Sequence, residues 1–496
     1  MGTLIEELSA WATGLRWEEV PERVRALTVS QLMGHLGCVL AGATHPVGHR
    51  LLELGRPFGE DSAQSAYVLA ALSMLLDFDD TVFAGHVSHS AVGVPLAHAA
   101  AHGLDGDRLL RSILAATEVS ARVTAAATLG PFRGQTAAHT HLAGAVTGLG
   151  VAAGAAAAVV ADALGLAFAA PPWPLQHAFF GSDAKVLTAA TPVRTGVDAV
   201  HAALAGLQGA ADMLEHPDGF LARFATTPLP QAIGGLGSRW HTDTLSIKVH
   251  PGCAYIDAAV DAAVALHPQV ADRFDQISAV EVDASIFTVG MEERSRPYLH
   301  GSESGLAALN FSTGYTVACA LLRGAVEVDD FLPRRLREER VWRVADAVTV
   351  RHDPELSRRA LLAAAPLGAA LRMAGAEGAG WLAAGAGIAT EDAAALLGEP
   401  EADFERAEKA IGARLCVRLQ DGTELRAAVD VPEGAMGDDT RARHREIARR
   451  KLVRHAAPLT GEREAEALAD AVEALPGAGP DAVASLSAAL GALLGR

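Results

Sequence analysis

The stretch "HLAGAVTGLGVAAGAAAAVVADALGL", residues 141–166, decides which class of protein this chain belongs to, because about twenty consecutive residues in it carry no charge. An apolar run of that length could cross a bilayer. Most of its residues, however, are Ala and Gly, which are only weakly apolar. We therefore predict a tightly packed central helix rather than a membrane span.

Three glycines in the same stretch, Gly148, Gly150 and Gly154, form a G-x-G-x-x-x-G spacing. A dinucleotide-binding loop with a similar spacing follows a β-strand and opens a helix. Here no strand-like segment precedes the glycines, and helix-forming residues surround them. The spacing therefore predicts close helix–helix packing.

Composition excludes several classes of function. The chain has 496 residues, half of them hydrophobic, which is enough for a large core and predicts two domains. Its net charge of −18 leaves no basic surface for nucleic acid. The acidic, amphipathic N-terminus is unlike a signal peptide. Scattered cysteines without a CxxC pair argue against a zinc ribbon, an iron–sulfur cluster or a disulfide framework, and predict a reducing cytoplasm; they are Cys38, Cys253, Cys319 and Cys416.

The periodicity of hydrophobic residues changes twice along the chain. Residues 1–240 repeat with a helical period near 3.6 and almost lack strand-like alternation. Within residues 241–435, β-branched alternating segments appear, and the last of them contains an Asp-Gly that predicts a hairpin; they are "ISAVEVDASIFTV" (277–289), "VADAVTVRHDPEL" (344–356) and "ARLCVRLQDGTELRAAVDVP" (413–432). Residues 436–496 return to helix. We predict a mainly α fold, with a large helical domain formed by both chain ends and an inserted α+β domain.

An acid-rich stretch, "LLDFDDTVFAGHVSHS" (75–90), follows an apolar run directly. Burying carboxylates without partners is costly, so these acids need a role. Three interpretations are open: Asp79 or Asp80 caps a following helix, the group binds a metal, or it performs acid–base chemistry. The polar residues concerned are Asp77, Asp79, Asp80, Thr81, His86 and His89.

A metal site requires converging ligands at about 2 Å. The sequence contains no HExxH motif and no two-histidine-one-carboxylate spacing. The histidine pair His98 and His102 lies on one helix face and is more typical of packing. We therefore predict no metal.

Ten lysines or fewer are spread over this arginine-rich chain, so a lysine in an apolar setting is informative. Lys185 follows Gly-Ser-Asp-Ala and precedes an apolar helix. A desolvated lysine there would have a lowered pKa and could shuttle a proton or hold an anion, whereas a surface lysine would merely extend into solvent. Lys248 precedes a His-Pro-Gly turn that we expect to open a helix, and a lysine beside a helix N-terminus suits a carboxylate.

Two histidines, His139 and His141, precede the Ala/Gly stretch in "QTAAHTHLAG" (135–144). Either could face a cleft as a general acid or base. Either could equally lie beside a helix N-terminus with no chemical role.

Several of these motifs occur in one order: "LDFDDT", then H-x-x-x-x-G opening the Ala/Gly stretch, "GS-x-AK", K-x-x-H/P before "YIDAA", and "GY-x-VACALL". This order resembles the MmgE/PrpD family, which includes 2-methylcitrate dehydratase, cis-aconitate decarboxylase and iminodisuccinate epimerase. The resemblance spans nearly the whole chain. It implies a helical domain built from both chain ends, an α+β lid domain between them, a homodimer, and no metal or organic cofactor.

The resemblance also implies a set of site residues. The family's catalytic Asp, Thr and two lysines fall on Asp77, Thr81, Lys185 and Lys248, and a catalytic histidine falls on His139 or His141. The histidine that follows "DFDDT" in the family is not fixed here, because Ser88 occupies the aligned position between His86 and His89. We assign those three residues and Arg194 to substrate binding.

Two positions depart from the family pattern. Thr188 stands where the family has a histidine after its first lysine, and no tyrosine occurs at 289–291, where the decarboxylases have one. We predict a cofactor-independent lyase, a dehydratase or decarboxylase, that acts next to a carboxylate of a small polycarboxylic acid. The alternatives are an isomerase or epimerase of the same family, or the same scaffold reused for a larger, less charged substrate.

Overall fold

The computed structural model describes residues 2–131 and 133–495, and the fold is mainly α, as predicted. The N-terminal part contains twelve α-helices within these residues. They are α1 Leu4–Gly14, α2 Glu22–Ala43, α3 Pro46–Glu53, α4 Ser62–Leu75, α5 Ser88–Ala91, α6 Gly93–His102, α7 Gly106–Ala126, α8 His139–Ala153, α9 Ala157–Ala169, α10 Gln176–Gly181, α11 Leu187–Leu204 and α12 Phe220–Phe224.

Polar side chains define where several of these helices begin. Thr3 and Glu6 form a capping box at α1, and the carboxylates of Asp61 and Asp105 accept backbone N–H groups at the starts of α4 and α7. Such caps satisfy N–H groups that have no partner within the helix. Gly103, in the left-handed conformation, ends α6.

The Ala/Gly stretch forms two helices, so the prediction of a single one is wrong. Gly154 adopts a left-handed conformation (φ 73°) and ends α8, and the chain then turns into α9. The packing interpretation of the glycines is confirmed, because a Cβ on Gly148 would lie 2.9 Å from Pro95 Cγ, and one on Gly150 would lie 2.7 Å from Val160 Cγ2. Only the absence of side chains allows these helices to approach so closely.

One helix among the described residues, Glu22–Ala43, is long and apolar enough to cross a membrane. Of its most apolar window, 89% is buried inside the protein. Its apolar surface is therefore already covered by neighbouring helices.

The middle of the chain contains most of the β-structure. Its helices are α13 Asp257–Val270, α14 Ile286–Ser295, α15 Leu306–Leu309, α16 Thr313–Arg323, α17 Pro333–Leu336, α18 Glu339–Asp346, α19 Pro354–Leu362, α20 Ala369–Ala374, α21 Ala376–Ala386 and α22 Thr390–Leu397. The strands are β1 Asp80–Thr81, β2 Ser246–Ile247, β3 Ile277–Ala284, β4 Val348–His352, β5 Ala413–Leu419 and β6 Glu424–Val429.

Four of these strands form one sheet in the order β4-β3-β5-β6. Strands β3 and β4 are parallel, and the other neighbours are antiparallel. Strands β5 and β6 form the hairpin predicted at Asp421 and Gly422. Helix α13 packs against this hairpin, and the buried residues of both belong to the same continuous hydrophobic core as the N-terminal helices.

The remaining strands, β1 and β2, pair antiparallel and join the acid-rich stretch to the segment before Lys248. Phe83 N donates to Thr244 Oγ1 over 2.6 Å, which adds a second tie between the two segments. Ile247 N donates to Gly434 O over 2.8 Å. A Cβ on Gly434 would lie 2.0 Å from Ile247 O, so this close approach requires glycine. Three distant parts of the chain meet here.

The C-terminal part returns to the N-terminal helices. It contains α23 Asp438–Thr460, α24 Glu462–Glu473 and α25 Pro480–Leu494. Helix α23 lies along α2, where Ser30 Oγ and His444 Nδ1 are 2.7 Å apart, and a Cβ on Gly37 would lie 2.9 Å from Lys451 Cγ. Both chain ends thus pack in one helical layer. The boundaries 1–240, 241–435 and 436–496, and a lid role for the middle part, stay predictions.

Candidate functional site

The acid-rich stretch forms a buried turn between α4 and α5. Asp77 and Phe83 both have left-handed backbone conformations, with φ of 50° and 52°. Non-glycine residues adopt this conformation rarely, and such strain often marks functional sites. The helix-cap interpretation is wrong, because Asp80 lies in β1 and no side chain caps α5.

All four lysines of the chain are buried around this turn, and the other 37 of its 41 basic residues are arginine (41 − 4). Each lysine donates a hydrogen bond to residues 74–81: Lys185 Nζ to Met74 O at 3.0 Å, Lys248 Nζ to Asp77 O at 2.6 Å, Lys409 Nζ to Thr81 Oγ1 at 2.7 Å, and Lys451 Nζ to Phe78 O. A lysine is seldom buried without a specific partner. The presence of all four lysines around one turn therefore indicates a functional site.

Asp77 lies between two of these lysines. Its Oδ1 is 3.5 Å from Lys185 Nζ and 3.6 Å from Lys248 Nζ. Burial alone would raise the pKa of Asp77, but the two ammonium groups outweigh it and hold the pKa below its ordinary value. Burial lowers the pKa of Lys185, an effect that Asp77 opposes. For Lys248, Asp77 and Asp79 outweigh the effect of burial and raise the pKa. Lys248 is therefore a permanent cation near neutral pH.

Asp79 connects the lysines to the histidines. Its Oδ1 accepts from Lys248 Nζ at 2.9 Å, and its Oδ2 is 2.7 Å from His86 Nδ1 and 3.3 Å from His89 Nε2. Burial opposes ionisation of this carboxyl, but His86, Lys248 and His89 hold its pKa well below the ordinary value. An ionised carboxylate at His86 Nδ1 fixes the ring and its tautomer, with Nε2 left to accept a proton.

Asp79, His86 and His89 form a two-histidine-one-carboxylate set that could hold a metal, so the sequence interpretation that no such set is present is wrong. The ligand atoms of Asp79, His86 and His89 all lie within 4.8 Å of one another. However, the Lys248 ammonium hydrogen-bonds the same carboxylate, and its charge opposes a second cation there. The absence of a metal stays a prediction.

A cavity of about 70 Å³ opens beside this network. Its wall comes from four regions of the chain: the acid-rich stretch, the segment around Lys248, the segment between α19 and α20, and the residues before β5 and after β6. Of the predicted residues, it brings together Thr81, His86 and Lys248. Its other members include Asp257, Lys409, Phe83, Tyr255, Pro366, Ile411 and Pro432.

Sequence reasoning missed two residues on this wall whose pKa values lie near neutral pH, Lys409 and Asp257. Burial lowers the pKa of Lys409 to about 7 and raises the pKa of Asp257, the first residue of α13, to about 7. Asp257 Oδ1 has no hydrogen-bond partner among the described residues. The scarcity of lysine was the available signal for Lys409, whereas "YIDAA" offered no local signal that Asp257 is buried.

Helix α13 begins later than the sequence suggested. The His-Pro-Gly turn ends at Gly252, and the helix starts at Asp257. The N-terminus of α13 thus lies at the cavity that Lys248 also lines, and its first residue, Asp257, adds a buried carboxyl group there.

Other predicted residues lie behind the cavity wall. Ser88 Oγ accepts from Gln31 Nε2 at 2.9 Å. The ring centroid of His141 is 5.2 Å from that of His89, and burial holds the pKa of His141 well below its ordinary value. Ser88 thus connects the network to α2, and His141 packs against it from α8.

Two predicted residues lie outside the cluster. His139 Nε2 is 2.7 Å from Pro172 O, and its ring packs against Phe224. Residues two apart on a helix point about 200° apart, so His139 and His141 cannot both face the site. Arg194 pairs with Asp198 on α11, and its side chain is 43% exposed.

The two departures from the family pattern also have structural counterparts. Thr188 Oγ1 donates to Lys185 O over 2.6 Å and does not line the cavity. Although residues 289–291 contain no tyrosine, Tyr255 lines the cavity and stacks on Phe287 with centroids 5.4 Å apart. A phenol is thus present at the site from a different position.

Comparison with known families agrees with this arrangement. Residues 6–232 match the MmgE/PrpD N-terminal domain, and residues 250–370 match the MmgE/PrpD C-terminal domain. Together the matches cover most of the chain and include Asp77, Thr81 and Lys185. Lys248 lies between the two matches, and Lys409 lies beyond them. Members of this family are typically dehydratases or other lyases. The chain belongs to the MmgE/PrpD family.

Proposed function

We propose that the protein is a cofactor-independent lyase, a dehydratase or decarboxylase, acting at the carbon next to a carboxylate of a small polycarboxylic acid. The observation that carries this proposal is the cavity wall, which presents the Lys248 ammonium beside His86, a histidine held by the buried carboxylate of Asp79. The family of dehydratases and lyases to which the chain belongs supports the same class of reaction.

Removing a proton next to a carboxylate pushes negative charge onto the carboxylate oxygens. In water this charge makes the reaction very slow, so a catalyst must neutralise it. Lys248 is held in place by Asp77 and Asp79 before any substrate arrives. A preorganised cation in a buried site stabilises such charge without reorganisation, and this is usually the largest contribution to catalysis.

His86 is the proposed base. Its Nδ1 is held by Asp79, which leaves Nε2 to accept the proton, and the ionised Asp79 stabilises the imidazolium that forms. Proton transfer by a positioned side chain contributes about 10² to 10⁴ in rate. Thr81, whose hydroxyl accepts from Lys409, is proposed to donate its own proton to a substrate oxygen.

Dehydration also needs an acid. In this proposal the C–H electrons form the double bond, the C–O bond breaks, and the leaving oxygen takes a proton from Asp257. With its pKa raised by burial to about 7, Asp257 is protonated in half of the molecules at neutral pH. A general acid works best when its pKa is near the working pH.

Proton NMR in D₂O tests the proposal. The purified protein is incubated with 2-methylcitrate, cis-aconitate and iminodisuccinate, alongside Lys248→Met and Arg337→Met variants; Arg337 is an exposed residue that serves as a control for lost positive charge. We expect new vinyl signals or loss of CO₂ with the wild type and the Arg337 control only. Deuterium exchange without either would indicate an epimerase, and no change with any acid would refute a polycarboxylate substrate.

We also propose that the protein is cytoplasmic and, by analogy with the family, that it forms a homodimer. The four cysteines are buried and unpaired, which suits a reducing compartment. Light scattering should give twice the mass of the chain, and a monomer at micromolar concentration would refute the dimer.

A further inference from the structure

Lys409 differs from the two lysines that Asp77 pairs. Its ammonium donates to Thr81 Oγ1 at 2.7 Å and to Thr81 O at 3.3 Å, and both acceptors are uncharged. Among the described residues, no carboxylate oxygen lies within 4 Å of Lys409 Nζ, whereas Lys185 and Lys248 each have at least one. Lys409 is nevertheless only 5% exposed. It is therefore a buried amino group with no carboxylate of the described residues within 4 Å.

The position of Lys409 is fixed by its backbone. Its N–H donates to Met436 O, and its C=O accepts from Ile411 N, both over 2.9 Å. Arg441, on α23, donates to Ala407 O over 2.7 Å and holds the same segment against the helical layer. A long, flexible side chain on so constrained a backbone suits a binding residue, because little further ordering is needed when a ligand arrives.

The remaining lysine, Lys451, provides the contrast. It also lacks a carboxylate partner, but it donates to Phe78 O and Lys248 O and lies 3.7 Å from the centroid of the Phe78 ring. These groups surround its ammonium, and it does not line the cavity. Lys451 therefore has a structural role, and Lys409 is the lysine with capacity for a ligand.

We infer that Lys409 binds a carboxylate of the substrate, a different one from the carboxylate beside Lys248, so that the site selects acids with at least two carboxylates. This inference rests on the proposed function. An ammonium has three N–H donors, and Thr81 accounts for two of them. A carboxylate in the cavity would accept the third and supply the missing negative charge. Thr81 Oγ1, held by the same ammonium, would lie beside the bound acid.

Proton uptake follows from this arrangement. Burial lowers the pKa of Lys409 to about 7, and the charged groups that face it are Asp80, which opposes the lowering, and Lys248, which adds to it. About half of the Lys409 side chains are therefore neutral at pH 7 without ligand. A bound carboxylate favours the charged form, so binding should raise the pKa and take up about half a proton at pH 7.

The small number of lysines makes a direct measurement possible. The full chain, labelled with ¹³C and ¹⁵N in lysine only, gives four side-chain signals. The variants Lys409→Arg, Lys451→Arg and Lys248→Met assign three of them, and the fourth then belongs to Lys185. Each signal is titrated with pH, with and without propane-1,2,3-tricarboxylate. This probe has no hydroxyl group to eliminate. Propionate, with a single carboxylate, is the control ligand.

We expect the Lys409 signal to titrate near pH 7 without ligand and at least one pH unit higher with the tricarboxylate. Calorimetry should show the tricarboxylate binding about 10- to 100-fold more weakly to Lys409→Met, the loss typical of a hydrogen bond to a charged group. Lys409→Arg, which is always charged, should take up about half a proton less than the wild type on binding at pH 7, because, of positions 409 and 257, only Asp257 can still titrate. Wild type and Lys409→Met should bind propionate with equal affinity.

The outcomes separate the two proposals. If the tricarboxylate moves the Lys248 signal but leaves the Lys409 titration unchanged, the inference about Lys409 is wrong and the proposed function stands. If no lysine signal responds to the tricarboxylate, the polycarboxylate substrate is refuted together with the role of Lys409. Because the titration uses the wild-type protein, the result does not depend on the folding of Lys409→Met.

Discussion

Replacing Asp77 by Asn tests whether the charge of Asp77 stabilises the two buried lysines beside it, Lys185 and Lys248. Asn has nearly the shape of Asp and tolerates the left-handed backbone at this position, so the substitution removes charge with little change of conformation. Lys185 and Lys248 would then keep their burial but lose a shared counter-ion. Asp77→Asn should therefore be strongly destabilising and inactive.

The magnitude follows from the distances. With an effective dielectric constant of about 20, a pair of charges 3.5 Å apart attracts by about 5 kcal/mol, and Asp77 makes two such pairs. Desolvation of the carboxylate offsets several kcal/mol of this. Breaking a buried ion pair by removing one partner typically costs about 3–5 kcal/mol, and we expect a loss in that range near pH 7.

The stability difference between the wild type and Asp77→Asn should depend on pH in a predictable direction. Because the pKa of Asp77 is lower in the folded state, its contribution is fully present above the unfolded pKa of about 4 and is lost as pH falls through the folded value. The difference between wild type and Asp77→Asn should therefore shrink below about pH 4. Urea unfolding followed by circular dichroism measures it, with Asp346→Asn as the exposed control. A loss below about 1 kcal/mol at pH 7 would refute the reasoning, as would a difference that does not change with pH.

Three further predictions test other parts of the site. His86→Asn should lower kcat by about 10² to 10⁴ while the exposed control His201→Asn does not; equal rates in a steady-state assay would exclude His86 as the base. Gly434→Ala should lower the thermal midpoint and the activity together, because its Cβ would lie 2.0 Å from Ile247 O; a wild-type midpoint would contradict that close contact. The kcat/KM of the wild type should fall as pH rises above about 7, because Asp257 and Lys409 both act in protonated forms with pKa values of about 7; a flat profile up to pH 9 would exclude both roles.

The fold class could be predicted from the sequence, but the positions where helices break were predicted less well. Helical and alternating periodicities predicted the mainly α fold and the β5–β6 hairpin correctly. The break at Gly154 was missed because the hydrophobic pattern continues through it, and only the left-handed backbone ends the helix. A glycine inside an Ala-rich run is compatible with either outcome.

Site residues could be proposed from the sequence only where a motif carries them, and their roles stay predictions. Asp77, Thr81, Lys185 and Lys248 could be assigned from the family resemblance. The pair Lys409 and Thr81 could not, because 328 positions separate them and "ERAEKAIG" carries no motif. The two histidines at 139 and 141 could not be distinguished because the helix rotation between them depends on where α8 begins.

The distribution of basic residues has a physical explanation that connects these observations. Arginine stays protonated in proteins, whereas burial readily shifts the pKa of lysine. Arginine supplies nearly every ion pair on the surface among the described residues, and lysine occurs only around the turn of residues 74–81. There the same residue type has different roles: Lys248 is held charged by Asp77 and Asp79, whereas Lys409, which lacks a carboxylate partner, has a pKa near 7. An arginine at position 248 would supply the same charge as Lys248. An arginine at position 409 would stay protonated and could not take up a proton when a ligand binds. A site that needs both a fixed and a responsive cation therefore needs lysine.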